Sequence, residues 1–135
     1  MNKLILVLLI LVSASCAYAQ GADPSPVQTS APATSRFEII QSPLAAIWTF
    51  LLDKYTGRVQ QLVKTKDDDN AWESMMVIGL PKASLEPKVR YQIFTSGLAA
   101  RHTFLLNVET GQSWVLTTFK DEKLGDVTGW SPFEN

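Results

Sequence analysis

Residues 36–67 read RFEIIQSPLAAIWTFLLDKYTGRVQQLVKTKD, and residues 90–121 read RYQIFTSGLAARHTFLLNVETGQSWVLTTFKD. The two stretches align without a gap at a separation of 54 positions, and 15 of the 32 aligned pairs are identical. A repeat of this period is typical of folds assembled from small supersecondary units, none of which can bury its apolar face alone. The chain is therefore predicted to contain two copies of one unit.

Each copy has the pattern of a strand followed by a β-hairpin. Asp53 and Asn107 can accept hydrogen bonds from backbone amides two or three residues further on, and Gly57 and Gly111 can adopt positive φ. A type I turn closed by a glycine bulge fits this chemistry. Aromatic and β-branched residues predict strands at 37–41, 48–52 and 58–64 in the first copy and at 91–95, 102–106 and 112–119 in the second.

The TFLL sequence that begins at Thr49 and again at Thr103 is apolar at consecutive positions. Successive strand residues point to opposite faces, so both faces of this strand should be covered, which one copy cannot achieve. We therefore expect an all-β fold in which the two meander units pair by pseudo-twofold symmetry into one small sandwich or barrel-like domain. That domain spans residues 36–135, with repeats at 36–72 and 90–130.

A fourth element in each copy is marked by Trp72 and Trp130, although three strands are clearer than four. The second copy carries four additional residues before this tryptophan. Between the copies, residues 73–89 contain the apolar run MMVIGL and then Pro81 and Pro87, which discourage regular structure. This linker is predicted to form a short edge strand followed by a loop.

The first 19 residues have the pattern of a secretory signal peptide. Lys3 precedes an apolar run from Leu4 to Val12, and Ala17-Tyr18-Ala19 suits cleavage after Ala19. A nine-residue helix spans only ~14 Å, far less than the ~30 Å hydrocarbon core. In an alternative interpretation, Ser13-Ala14-Ser15-Cys16 is a bacterial lipobox and Cys16 is lipidated. Either way the protein is predicted to be exported, as a periplasmic or secreted protein or as a membrane-anchored lipoprotein.

Residues 20–35, QGADPSPVQTSAPATS, are small, polar and proline-bearing, and are predicted to form a disordered linker. Loss of the signal, whose single charge is Lys3, changes the formal charge from −1 to −2. The basic residues are scattered among acids, so nucleic-acid binding is not expected. The only cysteine lies within the signal, and burial alone must therefore stabilise the mature domain.

No catalytic residues or cofactors are predicted. His102 is the only histidine, its counterpart in the first copy is Trp48, and no GxSxG or HExxH motif occurs. Acids that are distant in sequence can meet in space and act as a catalytic pair. A small carboxylate-dependent hydrolase is therefore kept as the weakest alternative.

Asp67-Asp68-Asp69-Asn70 is the one dense charge cluster. Calcium prefers several oxygen ligands at alternating positions, which Asp67, Asp69 and Glu73 offer. The glycine and the distal bidentate acid of a calcium loop are missing, however. A solvated hairpin tip is the preferred interpretation, and no metal site is predicted.

The aromatic residues are the remaining candidates for a binding site. Trp and Tyr serve equally as core residues and as platforms on which sugars or peptides stack. The four tryptophans are more readily explained as core. Tyr55, Trp114 and Trp130 are nevertheless the candidate ligand-binding residues, Tyr55 because it lies inside a turn.

The motif FLLDxxTGxxxxL at residues 50–62 resembles a recurrent element of short secreted bacterial proteins of unknown function, in which an LLDxxTGxxW hairpin follows a strand. Trp114 satisfies that pattern, whereas Gln60 replaces it in the first copy. The hairpin is also faintly similar to blades of quinoprotein-type β-propellers. Two copies cannot close a propeller of four to eight blades. Two-unit chains can, however, form a ring, as in some small bacterial lectins whose trimers bind sugars between blades.

These observations favour a non-enzymatic binding or structural module of the cell envelope. Its partner would be an envelope protein or polysaccharide, and a lipid anchor would be its only membrane contact. The main alternative is a carbohydrate-binding module that completes a propeller by oligomerisation.

Overall fold

Eight antiparallel strands form two four-stranded sheets in the computed structural model, which describes residues 31–84, 86–96, 99, 102–123 and 125–133. The strands are β1 (Phe37–Ser42), β2 (Ala45–Asp53), β3 (Val59–Lys64), β4 (Asn70–Ser74), β5 (Tyr91–Thr95), β6 (Thr103–Asn107), β7 (Ser113–Asp121) and β8 (Gly125–Pro132). The first sheet has the order β1-β2-β3-β4 and the second has the order β5-β6-β7-β8. Each repeat is thus one complete antiparallel meander.

The predicted all-β class is confirmed, and the two repeats correspond to the two sheets. Each repeat has four strands rather than three clear ones, because Trp72 and Trp130 lie within β4 and β8, which pair along β3 and β7. The described residues form two separate sheets and not a closed barrel. Among the described residues, no helix could span a lipid bilayer.

The core lies between opposite faces of the two sheets. Phe50 and Leu52 are buried, but their counterparts 54 positions later, Phe104 and Leu106, are only half-buried. The second sheet instead buries Leu105, which points to the other side of its strand. The core residues are Ile40, Phe50, Leu52 and Val59 from the first sheet and Tyr91, Ile93, Leu105, Trp114, Leu116 and Trp130 from the second. We call the faces that carry these residues the inner faces, and the opposite faces the open faces.

The pseudo-twofold arrangement that the sequence suggested is wrong. A twofold axis would bury equivalent residues in both copies, whereas no core residue of one sheet is the 54-position counterpart of a core residue of the other. The sheets are stacked in tandem, so that the front of one lies against the back of the next. The TFLL strand was expected to be covered on both faces. Within the described residues, the other sheet covers only one face of each sheet.

The linker between the sheets runs along the edge of the second sheet before it loops back. Val77 forms a parallel bridge with Trp130, and Trp130 exchanges backbone hydrogen bonds with Met76 and Ile78 at 2.9 Å each. Met75, Val77 and Leu80 pack against the core. The apolar run therefore forms a short edge element, in the place predicted for it.

The turn between β2 and β3 joins the first sheet to the start of the second. The Lys54 carbonyl accepts hydrogen bonds from the backbone amides of Arg90 and Tyr91, at 2.8 and 3.0 Å. Gly57 lies beneath the Tyr91 ring with φ of 76°, and a Cβ there would be 2.7 Å from Tyr91 Cε1. This glycine is needed both for its backbone conformation and for its lack of a side chain.

The predicted signal, Cys16 and most of the predicted linker lie outside the described residues. The end of that linker, from Ala31 to Ser35, contains a turn in which the Ser35 amide donates to the Pro32 carbonyl at 2.8 Å. The buried Lys54 ammonium donates to the Ala33 carbonyl at 3.1 Å. These residues are therefore anchored to the first sheet.

We expect Gly57→Ala to destabilise the protein more than Gly125→Ala. Both glycines have positive φ, which costs an alanine about 1–2 kcal/mol. A Cβ at Gly125 would meet nothing within 4 Å, whereas a Cβ at Gly57 would displace Tyr91 and Leu80. Overpacking should add about 1–3 kcal/mol to the loss at Gly57. Urea unfolding of both variants measures the difference, and equal losses would contradict this account of the junction.

Candidate functional site

The open faces of the two sheets carry exposed apolar side chains. Direct cross-strand partners point to the same side of a sheet, so the pairs Ile39–Leu51 and Leu62–Trp72 lie on one open face. On the first sheet this face consists of Phe37, Ile39, Leu51, Gln60, Leu62 and Trp72. On the second sheet it consists of Phe94, Phe104, Leu106, Val115 and Phe133.

Large side chains on these faces are unusually accessible to solvent. Phe37, Phe94 and Phe133 are each more than half exposed, at 52%, 58% and 52%. Three of the aromatic rings on the second sheet form a row, because the Phe104 ring centroid lies 6.3 Å from that of Phe94 and 5.9 Å from that of Phe133. Contiguous exposed apolar surface of this kind is typical of interaction sites.

A cavity of about 410 Å³ opens on the first sheet near the end of β2 and the start of β3. Phe37 and Leu51 form its apolar wall, and Asp53, Arg58 and Gln60 supply polar groups. The counterpart of Gln60 on the second sheet is Trp114, whose large indole fills the corresponding space on the inner face. The cavity therefore lies where the first copy has a smaller residue than the second.

A second cavity of about 470 Å³ lies between the outer strands of the two sheets. Gln61 and Glu73 line it from the first sheet, and Asp126 and Thr128 line it from the second. Met75 and Met76 add apolar surface. This groove combines carboxylate and amide groups with apolar walls.

An ion pair stabilises the turn beside the first cavity. The Arg36 guanidinium donates to the Asp53 carboxylate at 2.8 Å, and Asp53 Oδ1 accepts the Tyr55 amide at 3.0 Å. Burial alone would raise the pKa of Asp53. The hydrogen bonds from Arg36, the Tyr55 amide and Thr56, together with the charge of Arg36, outweigh burial and hold this pKa below its ordinary value.

The second copy uses the equivalent arginine differently. Arg90 donates to Glu109 Oε2 at 2.8 Å and to Glu86 Oε2 at 2.9 Å, and Lys88 also pairs with Glu109. The hydrogen bond from Lys88 is the main reason that the pKa of Glu109 lies below its usual value. Asn107 replaces Asp53 and still accepts the Glu109 and Thr110 amides. The turn geometry is thus shared, whereas the charges differ.

The three predicted ligand-binding residues do not form one site. Trp114 and Trp130 both have 0% exposure and lie in the core, so neither ring offers a face to solvent. The Trp114 Nε1–H donates to the Ile78 carbonyl at 2.7 Å. Tyr55 is half-buried at the β2–β3 turn, where the Arg36 guanidinium lies 5.6 Å from its ring centroid.

The remaining candidates are exposed. Asp67, Asp68 and Asp69 lie in the turn between β3 and β4, where Lys64 pairs with Asp68 at 3.1 Å. The described residues include no group of three or more possible metal ligands. His102 is exposed immediately before β6.

Sequence reasoning missed the exposed residues Phe37, Ile39, Phe94 and Phe133. The TFLL run could have identified them. Because it is apolar on both sides of the strand, both faces of each sheet are expected to contact another surface. Comparison of the chain with family models, with curated proteins and with solved structures finds no match. The function of this chain is therefore proposed from its own geometry.

We expect Trp114→Phe to cost more stability than Trp130→Phe. Both substitutions remove the same volume from a fully buried ring. Trp114→Phe also removes the donor to the Ile78 carbonyl, whereas the Trp130 Nε1–H has no acceptor among the described residues. The difference should be about 1 kcal/mol by urea unfolding. A larger loss for Trp130→Phe would contradict the assignment of that hydrogen bond.

Asp53→Asn should remove a pH-dependent part of the stability while it preserves the turn, as Asn107 does. Because the pKa of Asp53 is lowered in the folded state, its stabilisation is present above the ordinary value of 3.8 and is lost as the pH falls below it. Arg36 is half exposed, so the advantage of the wild type at neutral pH should be at most about 1 kcal/mol. Unfolding across this pH range tests it, and a constant difference between the two proteins would contradict it.

Proposed function

We propose that this protein is a non-enzymatic binding or structural module of the bacterial cell envelope, and that its open faces make the functional contacts. The observation that carries this proposal is the exposed apolar surface on sheets that are otherwise well packed. Monomeric soluble proteins rarely leave such surface uncovered. Export to the envelope rests on the signal-like pattern of residues 1–19, with lipidation at Cys16 as the alternative form.

The charged groups favour a structural role over catalysis. A general acid needs a carboxyl group with a raised pKa. The pKa values of Asp53 and Glu109 are instead lowered by arginine and lysine partners, which hold them as ionised members of structural pairs. This arrangement supports the non-enzymatic proposal over the carboxylate-dependent hydrolase.

A carbohydrate-binding function is the second candidate, and the groove between β4 and β8 favours it. Glu73 of β4 and Asp126 of β8 both line a cavity of about 470 Å³ that amide and hydroxyl groups also line. Trp72 does not line this groove; it is 36% exposed on the open face of the first sheet, where it offers a separate ring on which a sugar can stack. A glycan array discriminates the two candidates, because an envelope module with a protein partner gives no glycan signal.

Trp72→Ala should abolish most binding to envelope components and leave folding unchanged. Aromatic anchors of this type contribute more than 1.4 kcal/mol when they lie in an interface, so retention on a native envelope fraction should fall at least about tenfold. The matched control is Leu44→Ala, which truncates another exposed apolar side chain in the β1–β2 turn. Equal retention of the two variants would contradict a role for the open face.

A further inference from the structure

We propose that the open face of the first sheet binds the open face of the second sheet of another copy of the chain, in the geometry that the two sheets adopt within one chain. Copies joined in this way form a closed ring of stacked four-stranded sheets. This inference rests on the proposed function, because it names another copy of the chain as the partner of the open faces. In the ring Trp72 lies between copies, and loss of envelope retention in Trp72→Ala then follows from loss of the assembly.

The first argument is the equivalence between open and inner faces. Phe37, Ile39 and Leu51 on the open face of the first sheet are the counterparts of Tyr91, Ile93 and Leu105, which are buried on the inner face of the second. The open face of the second sheet shows the reverse relation. Its residues Phe94, Phe104 and Leu106 are the counterparts of Ile40, Phe50 and Leu52 on the inner face of the first. Each open face therefore has the apolar pattern of a face that is already buried in this protein.

The second argument is the match between a cavity and a protruding side chain. Gln60 stands where the second sheet has Trp114, and a cavity of about 410 Å³ opens beside it. Met75 and Phe133 are equivalent, because their amides donate to the equivalent carbonyls of Val59 and Ser113 at 2.9 and 2.8 Å. The second sheet thus presents a phenylalanine where the first has a methionine. The larger side chain faces the larger space when the sheets of two copies meet.

The third argument comes from the two equivalent turn glycines. Within the chain, the Tyr91 ring covers Gly57 so closely that a Cβ would be 2.7 Å from it. Gly111 has almost the same backbone, with φ of 77°, yet nothing lies within 4 Å of its Cβ position. The counterpart of Tyr91 is Phe37, whose ring is half exposed. In the ring, Phe37 of the next copy covers Gly111.

This contact is heterologous, because the two surfaces that meet are different. Heterologous contacts produce a closed ring when the rotation between copies divides a full turn, and open filaments otherwise. Rings of four-stranded sheets close with about four to eight sheets. At two sheets per chain, this corresponds to about two to four copies.

Mass measurement of wild-type protein and two face variants tests the proposal. Light scattering of the protein purified after export with its own signal should give about two to four times the mass of one chain. Ile39→Asp and Phe133→Asp each place a charge on one open face, and each alone should give monomers. A one-to-one mixture should give dimers, because each variant retains the face that the other has lost.

Three results would overturn the proposal. They are a monomeric wild type at every concentration, a Phe133→Asp variant with the wild-type mass, and a mixture of the two variants that contains only monomers. The second would show that the first sheet pairs with itself. Leu44→Asp is the control for a charge on an exposed apolar position outside the open faces, and it should keep the wild-type mass. Circular dichroism confirms that each variant is folded.

Gly111→Ala provides an independent test that adds no charge. Gly125→Ala is its matched control, since both glycines have positive φ and an open Cβ position in the isolated chain. The two alanines should cost the monomer the same stability. Only Gly111→Ala should reduce the fraction of assembled protein, because its methyl group would meet Phe37 of the neighbouring copy. Equal assembly of the two variants would overturn the proposed contact.

Failure of this inference can be separated from failure of the proposed function. If the protein is a monomer and Trp72→Ala reduces its retention on the envelope fraction, the binding function is supported and the ring is contradicted. If the protein forms the ring but is not retained on the envelope fraction and gives no glycan signal, the ring is supported and the binding role is contradicted.

Discussion

The contact between Phe50 of β2 and Trp130 of β8, with ring centroids 5.5 Å apart, determines which faces of the two sheets meet. Side chains alternate along a strand, so placing these two rings between the sheets assigns every other strand residue to an inner or an open face. Leu52 and Leu105 then become buried, and Phe37 and Phe94 become exposed. Burial of such side chains stabilises the fold by about 1.5–3 kcal/mol each, which makes any shift of one residue costly.

Directional contacts at two sites hold the sheets in this tandem arrangement. At one, the Lys54 carbonyl accepts the Arg90 and Tyr91 amides, and Gly57 allows the Tyr91 ring to approach. At the other, the Trp114 Nε1–H donates to the Ile78 carbonyl, and Val77 pairs with Trp130. Hydrophobic contact alone is non-directional and would permit other orientations. These hydrogen bonds therefore hold the sheets in the orientation in which the Phe50–Trp130 contact forms.

Much of the local structure could be predicted from the sequence, because turns depend on few residues. The side chains of Asp53 and Asn107 accept the amides that turn chemistry predicts, and Trp72 and Trp130 mark real strands. The choice of buried face could not be predicted, because the TFLL run is apolar on both sides of the strand and alternation gives no signal there. Trp114 and Trp130 are candidate ligand-binding residues in the sequence but core residues in the structure. Tryptophan serves both roles, and only the packing of the neighbouring sheet distinguishes them.

Some of the differences between the copies lie where the junction within a chain and the proposed junction between chains would otherwise be identical. Identical copies would stack equally well within a chain and between chains, in either order. The first copy has Gln60 and Met75 where the second has Trp114 and Phe133, so the two junctions differ in volume. The first copy also has Asp53 where the second has Asn107, so the turns beside the junctions differ in charge. An interface discriminates between partners by what it disfavours as well as by what it favours. The duplication thus supplies a common scaffold, and these substitutions distinguish the two junctions in volume and charge.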